Sequence, residues 1–281
     1  MKTGLFTLAA VLFAAAPCFG QEFCIFTTVY DESSARATAD VKPTADVKPT
    51  AVARPVTLFH AGRVYDWMPA QEEVIIFEPM QDRFTILHTK QQIATTVHTD
   101  EIKHLLQTAR RAAGEYSRKL RAGGRPADTS RADMLDFQLK PEFRSDYDGK
   151  AKTLSLISPH LRYDVRLEVV ETKEYAAAYR NYADWVHRLN YVMQPRLLLP
   201  GPRLALNKAL AEKQALPLEV KLRLNTTPAV QLRAVHVIQW KLERKERQMI
   251  NSWNALLARP TTKKVPLRQY QKLLGMRTTS R

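Results

Sequence analysis

The sequence predicts an α+β protein: a curved antiparallel sheet, bent into an unclosed half-barrel, covered on one face by helices. Three observations carry this. Strand-like segments come in runs separated by helices (strands, helix, strands, helices, strands, helix), an order that differs from βαβ alternation. The links between neighbouring strands are too short for parallel crossovers, so sequential strands pair antiparallel. Residues 161–170 alternate: Leu161, Tyr163, Val165, Leu167 and Val169 face one way, Arg162, Asp164, Arg166 and Glu168 the other. That is a strand with one buried and one wet face.

The chain opens with a secretory leader pattern. Lys2 precedes an uncharged apolar run, residues 4–16, which Pro17 breaks, and Gly20 suits a cut before Gln21. The run is shorter than the roughly 20 residues that span a bilayer. Pro17 stands where a lipidated Cys18 would need a small neighbour, so cleavage and export are expected, to the periplasm or the outside. Residues 21–281 then form a single α+β domain.

Residues 22–31 (EFCIFTTVYD) read as a strand buried on both faces, with Cys24 as a buried thiol. Residues 33–54 read as a flexible linker in which TADVKP occurs twice, at 38–43 and 44–49. One duplication is not a solenoid. Strands follow at 56–60 and 63–68 around the Ala61-Gly62 turn, then at 72–78, 83–89 and 92–98. Glu72 and Glu73 are expected to be solvated at a turn. A helix begins at Thr99, read as its N-cap with Asp100 and Glu101 in the first turn, and ends at Gly123-Gly124. Its inward face is Ile102, Leu105, Leu106, Ala109, Ala112, Ala113, Tyr116 and Leu120. Residues 125–133 read as a loop, and 135–139, 151–158 and 161–170 as strands.

A second helix is expected over 172–193, with Tyr175, Tyr179, Tyr182, Val186, Leu189 and Met193 on one face. Pro202 suits the first turn of a short helix ending near Gln214. Strands at 218–224 and 230–242 lead to a third helix, 243–258, with Met249, Ile250, Trp253, Leu256 and Leu257 inward. A last short helix is expected at 266–274.

The net charge is +15 and uneven. The helical C-terminal segment 243–281 is basic: from residue 241 onward there are eleven Lys/Arg against only Glu243 and Glu246. Lys263, Lys264, Arg268, Lys272 and Arg277 are candidates for docking on an anionic membrane or polysaccharide surface. Nucleic acid is the least accessible such partner after export.

No chemical motif stands out. His60, His88, His98, His104, His160, His187 and His236 lack metal-site spacing, and HExxH is absent, so no metal is expected. There is no G-x-S-x-G elbow and no phosphate loop, so no cofactor and no catalytic residue is assigned. A hydrolase with a site assembled from distant residues stays open as an alternative. Trp67, Phe77 and Phe84 on neighbouring strands, with Phe137, Leu156 and Tyr163 further on, are candidates to line an apolar cavity between sheet and helices; Tyr175, Tyr179, Tyr182 and Trp185 form an aromatic helix stripe.

The leader, the strand pairs RVYDWM–EEVIIFEP–RFTILHT followed by a helix, and the stretch DFQLKPEFRSDYDGKAKTLSLIS (136–158) resemble the periplasmic lipoprotein-carrier superfamily over about residues 22–242. That resemblance implies an unclosed barrel holding acyl chains against capping helices. The chain also looks similar to exported proteins of planctomycete type, which implies no activity. Together these readings lead to the expectation of a non-enzymatic exported protein binding a lipid or acyl chain.

Overall fold

The computed structural model describes residues 22–33, 50–194 and 198–278; the leader and both TADVKP copies lie outside them. The fold is α+β. Among the described residues thirteen strands form one sheet, antiparallel except at one edge pair and not closed into a barrel, and six helices accompany it.

The first half is a meander: β1 (Phe23–Asp31), the short β2 (Ala51–Ala53), β3 (Val56–His60), β4 (Arg63–Met68), β5 (Glu73–Glu78), β6 (Arg83–His88) and β7 (Ile93–His98). β2 pairs with β1, so the end of the segment expected as linker joins the sheet. Three of the hairpins share one design. Met68 pairs with Glu73, Glu78 with Arg83 and His88 with Ile93, leaving four-residue loops that end on Glu72, Asp82 and Gln92, each left-handed. The repeated loop length gives strands of equal length and keeps every apolar residue in register with its neighbour.

Helix α1 (Thr99–Ala122) and α2 (Pro126–Leu139) follow, then β8 (Arg144–Asp148), β9 (Thr153–Ile157) and β10 (Leu161–Val169). Next come α3 (Lys173–Met193), α4 (Gly201–Glu212), β11 (Ala215–Leu224), β12 (Val230–Gln239), α5 (Arg244–Ala258), β13 (Lys263–Lys264) and α6 (Leu267–Thr278). Across the sheet the order is β13-β7-β6-β5-β4-β3-β1-β12-β11-β10-β9-β8. The N-terminal strand thus lies at the centre. It pairs with β3 on one side and β12 on the other, joining the two meanders.

Two expectations fail locally. Residues 126–139 form helix α2 rather than a loop and a strand. Pro126 opens it, and Asp136 accepts hydrogen bonds from Ser117 Oγ and Arg121 Nη2 of α1, both at 2.6 Å. A five-residue alternation fits a strand, but pairing with α1 decides the outcome. Thr99 does not cap α1; His98 holds the cap position, and Thr99 Oγ1 is buried without a hydrogen bond. On the expected face of α1, Leu105 and Tyr116 are exposed.

The core has two parts, one on each face. On the inner face, Ile75, Phe77, Phe84, Ile86 and Val97 pack with α1 and α3 residues, and Leu154, Leu156, Val165 and Leu167 with α3 and α4 residues. On the other face, Cys24, Leu58, Tyr65, Val74 and Ile76 pack under Ile250 and Trp253 of α5. The expected helical cover on one face is present, and α5 adds a second cover over the N-terminal meander.

Candidate functional site

The inner face is sealed unevenly. In β4–β7 and in β9–β10 most of its apolar residues are buried, with Met68 and Ile93 half-buried and Val169 exposed, but not one of the ten residues of β12 is buried. Strand alternation places Leu232, Ala234, His236 and Ile238 of β12 on the inner face, beside Thr27 and Val29 of β1 and Leu222 and Leu224 of β11. All of these are half-buried. They form a half-buried, mostly apolar strip along the edge of the core, termed the trough below.

A polar centre borders this trough. Gly201 lets the start of α4 approach α2 closely, and Gln138 Oε1 accepts from Leu199 N at 2.9 Å. This seats Arg203 in the first turn of α4. Its Nε donates to Asn207 Oδ1 at 3.1 Å and one Nη to the Tyr179 hydroxyl at 3.2 Å. No carboxylate pairs with Arg203 among the described residues. The nearby acid Asp184 is already engaged: Asn207 Nδ2 donates to it at 2.9 Å, Arg180 lies 3.8 Å away, and Arg188 also feels its charge. One carboxylate therefore serves two guanidinium groups and an amide.

The histidines near this centre are held neutral. Burial, reinforced by Arg203, pulls His187 and His236 down to about 3. His187 Nδ1 sits 2.6 Å from the Ala183 carbonyl. His236 Nδ1 lies 2.8 Å from Thr27 Oγ1, while its Nε2 is shielded from solvent with no hydrogen-bond partner among the described residues. Burial raises Tyr163, with Arg203 opposing the shift.

A second polar group lies under the N-terminal meander. Glu73, expected in solvent, is only 8% exposed, and Tyr270 of α6 donates to it at 2.6 Å. It alternates with Val74 and so faces the inner core rather than the turn; burial raises its carboxyl above the usual range. Glu72 lies 3.5 Å from Lys90. Burial also raises Asp66, which accepts from Thr57 Oγ1 at 3.0 Å. The Tyr182 hydroxyl, shielded from solvent, lies beside that carboxylate without closing a well-formed hydrogen bond.

The residues proposed to line one cavity fall into three places. Phe77 and Phe84 stack at 4.6 Å in the sealed half, near Tyr182. Trp67 faces the opposite side of the sheet and packs on Trp253 at 5.6 Å, so it cannot line a space with Phe77. Phe137, Leu156 and Tyr163 gather at the C-terminal half: Leu156 pairs with Tyr163, and Phe143 bridges Phe137 and Tyr163. Of the six, Tyr163 reaches the trough, opposite Leu222. In the aromatic stripe, Tyr175 packs on Phe23 and Trp240, and Trp185 takes Lys103 and Arg188 over its ring.

The sequence marks neither Arg203 nor His236 as a site residue, although His236 is among the scattered histidines, yet each left a trace. Arg203 is the lone charge in the run LLLPGPRLAL, and His236 falls at an apolar parity position of its strand. Lys263, Lys264, Arg268 and Lys272 are exposed and outside every ion pair among the described residues, whereas the Arg277 side chain is not described. Among the described residues no cluster of His, Cys, Asp and Glu could hold a metal ion, and no helix is long and apolar enough to cross a membrane. Two surface grooves, about 410 and 600 Å³, carry charged side chains in their walls, Arg121, Lys140 and Glu142 in one and Lys173, Glu174 and Arg180 beside three alanines in the other. No protein-family model and no curated protein matches the chain.

Proposed function

We propose that this is an exported, non-enzymatic binding protein that holds a lipid or acyl chain in the trough over β1, β12 and β11, beneath α3 and α4. The observation that supports this best is the half-burial of an apolar strip in the middle of a sheet whose flanking strands β4–β7 and β9–β10 are largely buried on the same face. Apolar surface left open beside packed core is a favourable place for an apolar ligand. The open half-barrel architecture and the resemblance to lipoprotein carriers agree with this reading. In the test, protein stripped of lipid is titrated with a fluorescent fatty acid. Saturable uptake is expected, and Ala234→Phe, which fills the trough, should weaken it at least tenfold with the melting temperature little changed. Absence of saturable uptake removes the reading.

A second role is supported by the exposed, unpaired Lys263, Lys264, Arg268 and Lys272: docking on an anionic membrane or polysaccharide surface. Binding to anionic vesicles should weaken steeply with salt and be lost when these four residues become glutamine. Binding that survives the quadruple substitution rules the surface out.

A further inference from the structure

Half-buried guanidinium groups are nearly always matched by a carboxylate, because an unpaired charge in a poorly hydrated place is costly. Arg203 has only the Asn207 carbonyl and the Tyr179 hydroxyl as partners, both neutral, and they take two of its five N–H groups. None of its nitrogens is among the shielded orphan atoms, so the remaining donors are reachable. The shielded orphan nearby is His236 Nε2 on the trough floor. In the tautomer in which the Thr27 hydroxyl donates to Nδ1, the ring proton sits on Nε2, where no protein acceptor among the described residues takes it. A reachable cation and an unused donor thus lie beside a half-buried apolar strip.

We infer that the ligand of the trough is a long-chain carboxylate, its head group held by the free N–H groups of Arg203 and by His236 Nε2, its chain lying over the half-buried residues of β11 and β12. This rests on the trough reading above and deepens it. A carboxylate fits better than a phosphate. It presents two oxygens to one guanidinium edge, and its single charge balances the one unpaired cation. The two histidines are held neutral and supply no further positive charge for a dianion.

The test compares four ligands of equal chain length (fatty acid, fatty alcohol, methyl ester and alkyl phosphate) on lipid-free protein and on Arg203→Gln and Arg203→Lys. The acid should bind the unmodified protein roughly ten- to a hundredfold more tightly than the alcohol or the ester, the range of a charge-assisted hydrogen-bonded pair. Arg203→Gln should bring the acid down to the alcohol's affinity while leaving the alcohol where it was. That unchanged alcohol affinity also shows that the variant is folded, and Arg203→Lys should recover part of the preference. Acid and alcohol binding equally well would overturn the anchor while keeping the trough. Tighter binding of the alkyl phosphate would overturn the assignment to a carboxylate. No binding of any of the four would overturn both, as expected if another part of this chain covers the trough.

Discussion

Cys24 sits in the central strand, under α5, with no exposure. Burial first, and then the charges of Glu246 and Glu243, push its thiol up to about 12. A thiol that cannot ionise near neutrality is neither a nucleophile nor a reactive redox site. The protein beginning at Gln21 should therefore leave an aromatic disulfide reagent unreacted at pH 8 and show one thiol once denaturant is added; rapid labelling of the native protein would contradict the packing. Burial of Cys24 was readable from its apolar neighbours. The fate of Glu73 was not, because its sequence position beside a turn says solvent while strand parity in the folded sheet says core.

At the level of elements, the hairpins of the N-terminal meander were legible because their turn residues and alternation agree. Helix α2 was not, since its few apolar residues fit either period and only the contacts of Asp136 with Ser117 and Arg121 select the helix. The seating of α4 depends on a close approach. A Cβ on Gly201 would lie 2.3 Å from the Gln138 carbonyl oxygen, a backbone atom that cannot swing away. Gly201→Ala should therefore cost roughly 2–3 kcal/mol, the upper range for overpacking a tight contact, measured by urea unfolding. A loss below about 0.5 kcal/mol would mean that the α2–α4 contact is loose. Nothing in the sequence singled out this glycine, because what it avoids lies over sixty residues away in the chain.

For the whole molecule, the buried titratable groups set opposing trends with pH. His187 and His236 have depressed values of about 3, so below the ordinary histidine range, near 6.5, the unfolded chain binds more protons than the folded one. Their contribution is present above that range and is lost as pH falls towards 3. Asp66 and Glu73 are raised, so their contribution is present below the ordinary carboxylate range and is lost as pH rises through their shifted values. Melting midpoints of His236→Gln should fall less steeply than those of the unmodified protein between pH 6.5 and 4, and Glu73→Gln should gain relative stability from pH 5 to 8. Parallel curves would show that these groups are hydrated in the folded state. The sequence by itself determined the fold class and most elements, with β2, α2, β8 and β13 excepted, because these follow from side-chain period, turn residues and chain direction, all local properties. Only the tertiary structure decided that β1 joins the two meanders through β12, that Trp67 and Phe77 part to opposite faces, and that the charge of Arg203 acts on His236 beside a half-buried strip. Those outcomes depend on which distant surfaces bury each other, and local periodicity carries no record of that.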